Sequence, residues 1–580
     1  MNPIEKIPEH LQIYIASQDP SLYTPIDQAS WRFILRISKD YFKSHAHPHY
    51  LEGLKETGIS TDRIPLISEM DGCLRKFGWR AVAVSGFIPP AIFMEFHSLR
   101  ILPIACDMRK LENIAYTPAP DIVHEAAGHA PFLADPKYNE YLTRYGDIAK
   151  KAIFSKSDMD VYNAIRDLSD TKERPDATDA DVERAQKRLD QAVTSSSYMS
   201  EATLLSRMYW WTVEYGLVGS VDAPKIYGAG LLSSVGESYH YLDAKVQKIP
   251  FTLDAVQMSY DITRPQPQLF VAPHFDSLIE TLENFADTMA FRQGGLAGLT
   301  KAVTAKTVTT SVYDSELEVS GVLEEVVLDP QGSPAYLRFV GPCQLSRDGN
   351  EIAGQGTQRH AYGFGCPVGR IAHLKKGLHE LNEAERQSLN LVAGGKTELK
   401  FESGLVIRGH ITEIHTHQKT LLIITLTNCQ VTYQSRILFD PEWGEYDLAC
   451  GGKITSVFGG PADPVHYQKK KETPEALDPI HKTNLTAKNK ELNLLYFQVR
   501  TLRESNQTDA EVTSTLEKIA ERLVRDFTDD WLLVLEILEI NHERTLNLSM
   551  EDSLRKQLAH QKKSSSVVSE LIHRGLSLIQ

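Results

Sequence analysis

Apolar residues recur at three-to-four spacing in the first half of the chain, as in Trp31, Ile34, Leu35, Ile37, Tyr41 and Phe42, and again in Leu204, Met208, Trp211 and Tyr215. This period predicts amphipathic helices. Val182, Ala185, Leu189, Ala192 and Val193 repeat the stripe just after a charged run at 167–175. They predict a short amphipathic helix in a surface flap, with an active-site lid as the second reading. After Gly294 and Gly295 the period changes. Residues 317–323, 335–340, 405–411 and 421–426 are rich in β-branched side chains and are bounded by Gly, Asp and Pro, so a compact antiparallel domain is expected at about 305–468. A Lys-rich linker at 468–474 follows. Val512, Leu516, Ile519, Leu523 and Phe527, with the apolar run 531–538, then predict helices of a small bundle. The expectation is three consecutive segments: a mainly helical one at 1–300, a β-rich one at 301–470 and a helical one at 471–580.

At 580 residues the chain exceeds one core. Its 62 basic against 76 acidic residues leave a net charge of -14, which repels a phosphate backbone and argues against nucleic acid as a partner. Cysteines 73, 106, 343, 366, 429 and 450 show no metal-type spacing and read as free thiols of a reducing cytosol. No run of eighteen apolar residues occurs, so no membrane partner is expected and the protein is read as cytoplasmic. Gly394-Gly395-Lys396-Thr397 resembles the end of a phosphate loop, but Asn390 stands where the leading glycine belongs. His410, His415 and His417 read as surface histidines of a strand.

The chemistry concentrates in Pro120-Asp121-Ile122-Val123-His124-Glu125-Ala126-Ala127-Gly128-His129. With Glu214, His124 and His129 can form a two-histidine, one-carboxylate face of the kind that binds iron and leaves positions open for oxygen. Zinc peptidases space their histidines by four, which puts both rings on one side of a helix. Here the spacing is five, which on an ideal helix turns the second ring about 140° away from the first. The helix must therefore relax, or end at Gly128, before His129 can turn back. On spacing alone, two helix-end histidines satisfied by hydrogen bonds remain an equal alternative.

Three blocks resemble the tetrahydropterin-dependent aromatic amino acid hydroxylases: Tyr116 through Pro131, Tyr209-Trp210-Trp211-Thr212-Val213-Glu214-Tyr215-Gly216-Leu217, and Tyr227 through Glu237. Weaker likeness extends from about residue 23 to about 290, and 300–580 shows none. The resemblance implies a mainly α catalytic domain with Fe(2+) on His124, His129 and Glu214, and a reduced pterin, tetrahydrobiopterin or a relative, as the second reductant for O2. For the pterin it implies a loop of Gly86, Phe87 and Ile88, stacking by Phe93, and Glu125 and Tyr209 nearby. Animal members have Leu-Leu-Ser-Ser where this chain has Phe87-Ile88-Pro89-Pro90, so a serine contact is absent and each proline removes a backbone donor. The segment between His129 and Glu214 is longer than in the animal enzymes.

For the amino acid, the resemblance implies Arg109 on the carboxylate, where a guanidinium fork suits a bidentate anion. Thr117 and Ser233 would hold the polar end, and Pro120, Trp210 and Gly230 would line the ring pocket. Ile262 stands where tyrosine hydroxylases carry Asp and offers nothing to a phenolic hydroxyl. Trp210 and Pro103 are phenylalanine-type choices, while Ile262 is the tryptophan-type one. Hydroxylation of L-phenylalanine to L-tyrosine is the expectation; tryptophan 5-hydroxylation and a non-catalytic binding protein of the same fold are the alternatives. The segment at 1–300 is expected to carry the chemistry by itself, with the C-terminal region available for self-association.

Overall fold

The computed structural model describes residues 7–84, 88, 90–115, 120–173, 177–195, 198–261, 265–467, 486–563 and 565–579. Contacts gather the chain into two compact units, each assembled from separate stretches of sequence. One comprises Ile13–Gly146, Arg207–Ile279 and Pro474–Gln580; the other comprises Met1–Gln12, Asp147–Ser206 and Glu280–Thr473. The three consecutive segments expected from the sequence do not coincide with this grouping.

The first unit is mostly helical. Its longest helix, Pro25–His45, begins with a capping box in which Thr24 and Asp27 exchange hydrogen bonds, and Pro25 occupies the first turn, where its missing N–H costs nothing. Apolar and polar residues alike are buried along it, including Trp31, Arg32, Phe33 and Ile34. A surface helix would show one dry stripe. The extra cover comes from three of the five C-terminal helices, Ala487–Glu504, Leu532–Arg544 and Ser566–Ser577, while Asp509–Asp526 and Glu551–Gln561 pack on the other helices of the bundle. Phe33 meets Trp531 edge-on at 5.1 Å. Arg32 reaches Glu536 at 3.0 Å and Glu539 at 2.6 Å, and Arg36 and Arg503 pair with Glu539 and Glu536. The expected stripe Val512, Leu516, Ile519, Leu523 and Phe527 is buried throughout. The helical C-terminal region therefore packs against its own chain.

Two small sheets complete this unit. Arg80–Val84 and Ile101–Ala105 pair in parallel, joined by the helix Pro90–Ser98. Ala223–Ile226, Leu217–Ser220, Gln268–Ala272 and Gln247–Pro250 form a four-stranded sheet in that order.

The second unit carries the β-rich region. Leu317–Leu328 and Pro334–Arg347 pair antiparallel in a six-stranded sheet, and Leu405–His417 with Thr420–Tyr433 in a five-stranded one, so all four expected strands form. Leu299 and Ala302 of the helix Gly295–Ala305, with Ile153 and Ala290, share one core with Leu317, Val319 and Val457. Residues expected in the first domain thus complete the β core. Lys156–Glu173 and Asp179–Ser195 pack together through Ala164, Leu168, Ala185 and Leu189, so the expected short helix is one of a pair, and the charged run continues the other up to Glu173. The linker at 468–474 lies outside the described residues. Among the described residues no helix is long and apolar enough to cross a membrane.

Candidate metal and amino-acid site

Both segments that supply the predicted metal ligands are π-helical: Val123–His129 and Trp210–Glu214. Hydrogen bonds that reach from i to i+5 widen the turn, so a side chain five positions on returns to the same face. The five-residue spacing is accommodated by this relaxation. The chain does not stop at Gly128 but tightens afterwards into a 3-10 turn, Ala130–Ala134. Gly128 itself is required by close approach, because a Cβ there would lie 2.8 Å from the carbonyl oxygen of Ala229.

The result is a convergence of three side chains. Nε2 of His124 and Nε2 of His129 are 3.1 Å apart, and the two Glu214 oxygens lie 3.3 Å from one or the other. Three ligand atoms at right angles around one ion, each about 2.1 Å away, would be separated by about 3 Å. The donor set, two imidazole nitrogens and one carboxylate, suits a ferrous ion. The residues fit the metal that the sequence blocks imply.

Burial and mutual charge set the protonation of this cluster. Burial pulls His124 down to about 4, against the opposing charge of Glu214. Burial also opposes protonation of His129, but Glu214, by charge and hydrogen bond, and Glu125 carry it above its ordinary value. Burial raises Glu214, and the two histidines more than reverse that, holding it below the usual carboxylate range. Glu125 is pushed up to about 8, chiefly by desolvation, which the charge of His129 opposes only in part.

Beside the metal face lies the predicted amino-acid pocket. Ser233 Oγ is 3.0 Å from Nδ1 of His124, and the Ser233 carbonyl accepts from Nη1 of Arg109 at 2.9 Å. Nε and Nη2 of Arg109 both donate to the carboxylate of Asp121 at 2.7 Å, so the side-on fork is already occupied. Asp121 also accepts from the His124 backbone N–H at 3.0 Å. The Arg109 guanidinium, with the backbone N–H groups of His124 and Arg109, holds the carboxyl of Asp121 below the ordinary range despite full burial. The indole of Trp210 stacks on Tyr260 at 4.4 Å and on Tyr215 at 4.6 Å. Gly230 is buried against Glu214 and Tyr215, where a Cβ would approach the Glu214 carbonyl oxygen to 2.9 Å. Pro120 is half-buried at the entrance to the π-helix. Thr117 and Ile262 lie outside the described residues.

On the predicted pterin side, Gly86 and Phe87 also lie outside the described residues, and Ile88 is buried. The Phe93 ring stands 4.4 Å from His97, 6.2 Å from Tyr209 and 6.4 Å from His129. Around it, both ring nitrogens of His97, Nδ1 of His129, Oε2 of Glu125 and the Tyr209 hydroxyl are buried without hydrogen-bond partners among the described residues. Buried polar atoms rarely stay unpaired, so this cluster suits a polar heterocycle with ordered water. Sequence reasoning missed Asp121, His97 and Tyr260. Asp121 stands inside the quoted block, three residues before His124, and its charge opposite Arg109 was the available signal.

Residues 17–153 and 183–324 match the family model described as biopterin-dependent aromatic amino acid hydroxylase. The unmatched interval takes in the whole of the helix Lys156–Glu173. The chain is 31% identical over 272 residues to a phenylalanine-4-hydroxylase of Dictyostelium discoideum, covering 46% of this chain and 52% of that protein. It is 28% identical over 274 residues to one from Ralstonia nicotianae, covering 45% of this chain and 74% of that protein. Against the Dictyostelium relative, then, the chain spans about half of the length. A crystal structure of phenylalanine hydroxylase from Chromobacterium violaceum, with bound iron(III) and 7,8-dihydrobiopterin, is similar at 26% identity, covering 47% of this chain and 85% of that one with a TM-score of 0.38.

Proposed function

We propose that the chain, whose residues 17–153 and 183–324 match the biopterin-dependent aromatic amino acid hydroxylase model, converts L-phenylalanine to L-tyrosine with O2 and a reduced pterin. The observation that carries the reading is the joining of two sites by one residue: Ser233 contacts both His124 of the metal face and Arg109 of the anion pocket. Iron(II) and tetrahydropterin, when bound, supply the activated oxygen and the electrons that an aromatic ring needs for hydroxylation.

The chain's own residues supply placement. His124, His129 and Glu214 would hold the iron, with Ser233 fixing the His124 ring through Nδ1 so that Nε2 faces inward. Arg109 would meet the amino acid's carboxylate end-on, because Asp121 occupies its side-on pair. Asp121 keeps the guanidinium from turning and neutralises it in a buried setting. Trp210, braced by Tyr260 and Tyr215, gives the substrate ring a flat apolar wall. Phe93 would face the pterin ring, while Glu125 and Tyr209 offer polar atoms to its edge. Where the family resemblance would place it, Ile262 would give a phenolic hydroxyl no partner, and burying such a group unpaired costs about 1–3 kcal/mol. Phenylalanine is therefore favoured over tyrosine. The six cysteines are all free thiols, in keeping with a cytoplasmic enzyme.

The test is a product assay on the purified chain with ferrous iron, tetrahydropterin and an equimolar mixture of phenylalanine, tyrosine and tryptophan. Tyrosine formed from labelled phenylalanine, with little 5-hydroxytryptophan, is the expected result. Predominant 5-hydroxytryptophan would replace phenylalanine by tryptophan as the substrate. Pterin and oxygen consumption no greater than in a chain lacking His129 would reject catalysis altogether.

A further inference from the structure

The last helix, Ser566–Ser577, lies far beyond the stretch that matches the hydroxylase family, yet it places a charged side chain against the connection that follows Ser233. The guanidinium of Arg574 is buried, and its Nη1 donates to the carbonyl of Val235 at 2.7 Å. Its central carbon stands 3.3 Å from the centre of the Tyr239 ring, and Nη2 pairs with Glu570 one turn back. Gly575 lets the helix approach, because a Cβ there would come within 2.5 Å of Leu535 and 3.1 Å of Phe33.

Val235 sits two residues after Ser233, in the short connection between the helices Ala229–Ser233 and Glu237–His240. That connection is held from one direction by the Ala115 carbonyl, which accepts from the Gly236 N–H at 3.1 Å and from Ser234 Oγ at 3.2 Å. Arg574 holds it from the other, at a carbonyl before the second helix and at a ring upon it. Tyr239 is in turn stacked on Tyr41 of the helix Pro25–His45 at 3.8 Å, so the ring has little freedom to follow if the guanidinium leaves. A buried cation keeps its place only where acceptors meet it, and here the acceptors are a backbone carbonyl, an aromatic face and one carboxylate.

We propose that Arg574 is a positioning residue for the amino-acid subsite: from the C-terminal helix it fixes Val235, and through that backbone the placement of Ser233 against His124 and Arg109. The C-terminal region is then part of the substrate-binding apparatus, supplying to the hydroxylase stretch a support that its own family residues do not provide. This inference rests on the proposed phenylalanine hydroxylation for its kinetic consequence, though not for its structural one.

The two are separated by using the full-length chain and two readouts. Hydrogen exchange needs no activity: in Arg574→Ala the amides of 230–238 should exchange faster than in wild type, while those of the π-helix 123–129 keep their protection. In steady-state kinetics the same variant should raise KM for phenylalanine by about tenfold, the order expected for losing a charged hydrogen bond. The KM for tetrahydropterin should stay within about twofold. Arg574→Lys, which retains a cation for the carbonyl and the ring, should recover part of the loss and serves if the alanine variant does not fold. Tyr496→Phe, which removes a hydroxyl bonded to Asp530 elsewhere in the same bundle, controls for general loosening: it should lower the melting temperature and leave the phenylalanine KM unchanged. Unaltered exchange at 230–238 in the Arg574 variants overturns the proposal, and so does an equal rise of KM in Tyr496→Phe. A wild-type chain that turns over no phenylalanine rejects the proposed function instead, with the exchange result still deciding the role of Arg574.

Discussion

Ser233 Oγ lies 3.0 Å from Nδ1 of His124, so a single hydroxyl links the proposed amino-acid pocket to the candidate metal face. Metal-bound imidazoles depend on such outer partners for ring orientation and basicity, and losing one typically weakens metal affinity about 10–100-fold. Ser233→Ala should therefore lower iron affinity by that order while also weakening phenylalanine binding, since the neighbouring carbonyl anchors Arg109. Iron titration of the purified variant measures the first effect, and equilibrium binding of phenylalanine the second. Wild-type iron affinity in the variant would mean that the contact does not orient the ligand.

A second expectation concerns the backbone that brings the histidines together. Gly128→Ala would place a methyl group 2.8 Å from the Ala229 carbonyl oxygen and 3.0 Å from the Ala229 side chain. Backbone atoms at that distance cannot swing aside, so the π-helix or the helix Ala229–Ser233 must move, at a cost of about 1–3 kcal/mol. His129 is the next residue and moves with it. The variant should melt lower and bind iron less than stoichiometrically, as read by calorimetry and by metal analysis. Full iron occupancy with an unchanged melting temperature would show that the contact is slack.

These features were unequally legible in the sequence. The candidate ligand triad was accessible because two of its members sit in one short block and the third in a second block, and the five-residue spacing already required the helix either to relax or to end at Gly128. Asp121 was overlooked because a carboxylate beside a histidine reads as a helix-start residue until Arg109 is seen to face it. The strands at 317–328, 334–347, 405–417 and 420–433 followed from their β-branched runs. What local pattern cannot give is the partner of a buried face. The stripes at 512–527 and 531–538 announced dry surfaces without saying that the neighbouring bundle helices would cover the first and Pro25–His45 the second. A hint was present, since Glu536 and Glu539 stand in an apolar helix that is buried from Leu532 to Asn541, and buried acids demand cations. The interleaved units were likewise invisible to a reading that divides the chain into consecutive segments.

The bundle also contains a group that should make stability depend on pH. Asp530 is buried, and desolvation pushes its carboxyl up to about 6 even though Leu533 N–H and the Tyr496 hydroxyl donate to it. Its ordinary value is 3.8. Between these values the unfolded chain has released the proton and the folded chain retains it, so folding loses stability as pH rises from about 4 to about 6, and the loss is complete above that. Two pH units correspond to about 3 kcal/mol. Asp530→Asn keeps an acceptor for both donors and cannot ionise. The difference in melting temperature between variant and wild type should therefore shift in favour of the variant on going from pH 4 to pH 7. A difference that stays constant across that range would place the titration elsewhere.

The final expectation reverses what the linear order of the chain suggests, namely that residues 1–300 suffice for catalysis. Cutting near 300 severs the helix Gly295–Ala305 and takes away the strands whose Leu317, Val319 and Val457 share a core with Ile153, Ala290 and Leu299. The same cut removes the five C-terminal helices, three of which cover Pro25–His45. Phe33 then loses Trp531, Arg32 loses both glutamates, and Val235 loses Arg574. Exposing a large apolar side chain costs about 1.5–3 kcal/mol, and several are uncovered at once, against a total folding stability of only about 5–15 kcal/mol for an ordinary domain. The shortened chain should aggregate or bind hydrophobic dye, and it should hold little iron. A chain ending at 467, which keeps the β core but lacks the C-terminal helices, should retain the strand-rich unit and still lose the hydroxylase site. Size-exclusion chromatography, metal analysis and product formation on the two truncations make the comparison. If the chain ending near 300 is monodisperse, iron-loaded and as active as the whole protein, the C-terminal helices are dispensable cover and the consecutive division into segments is the right one.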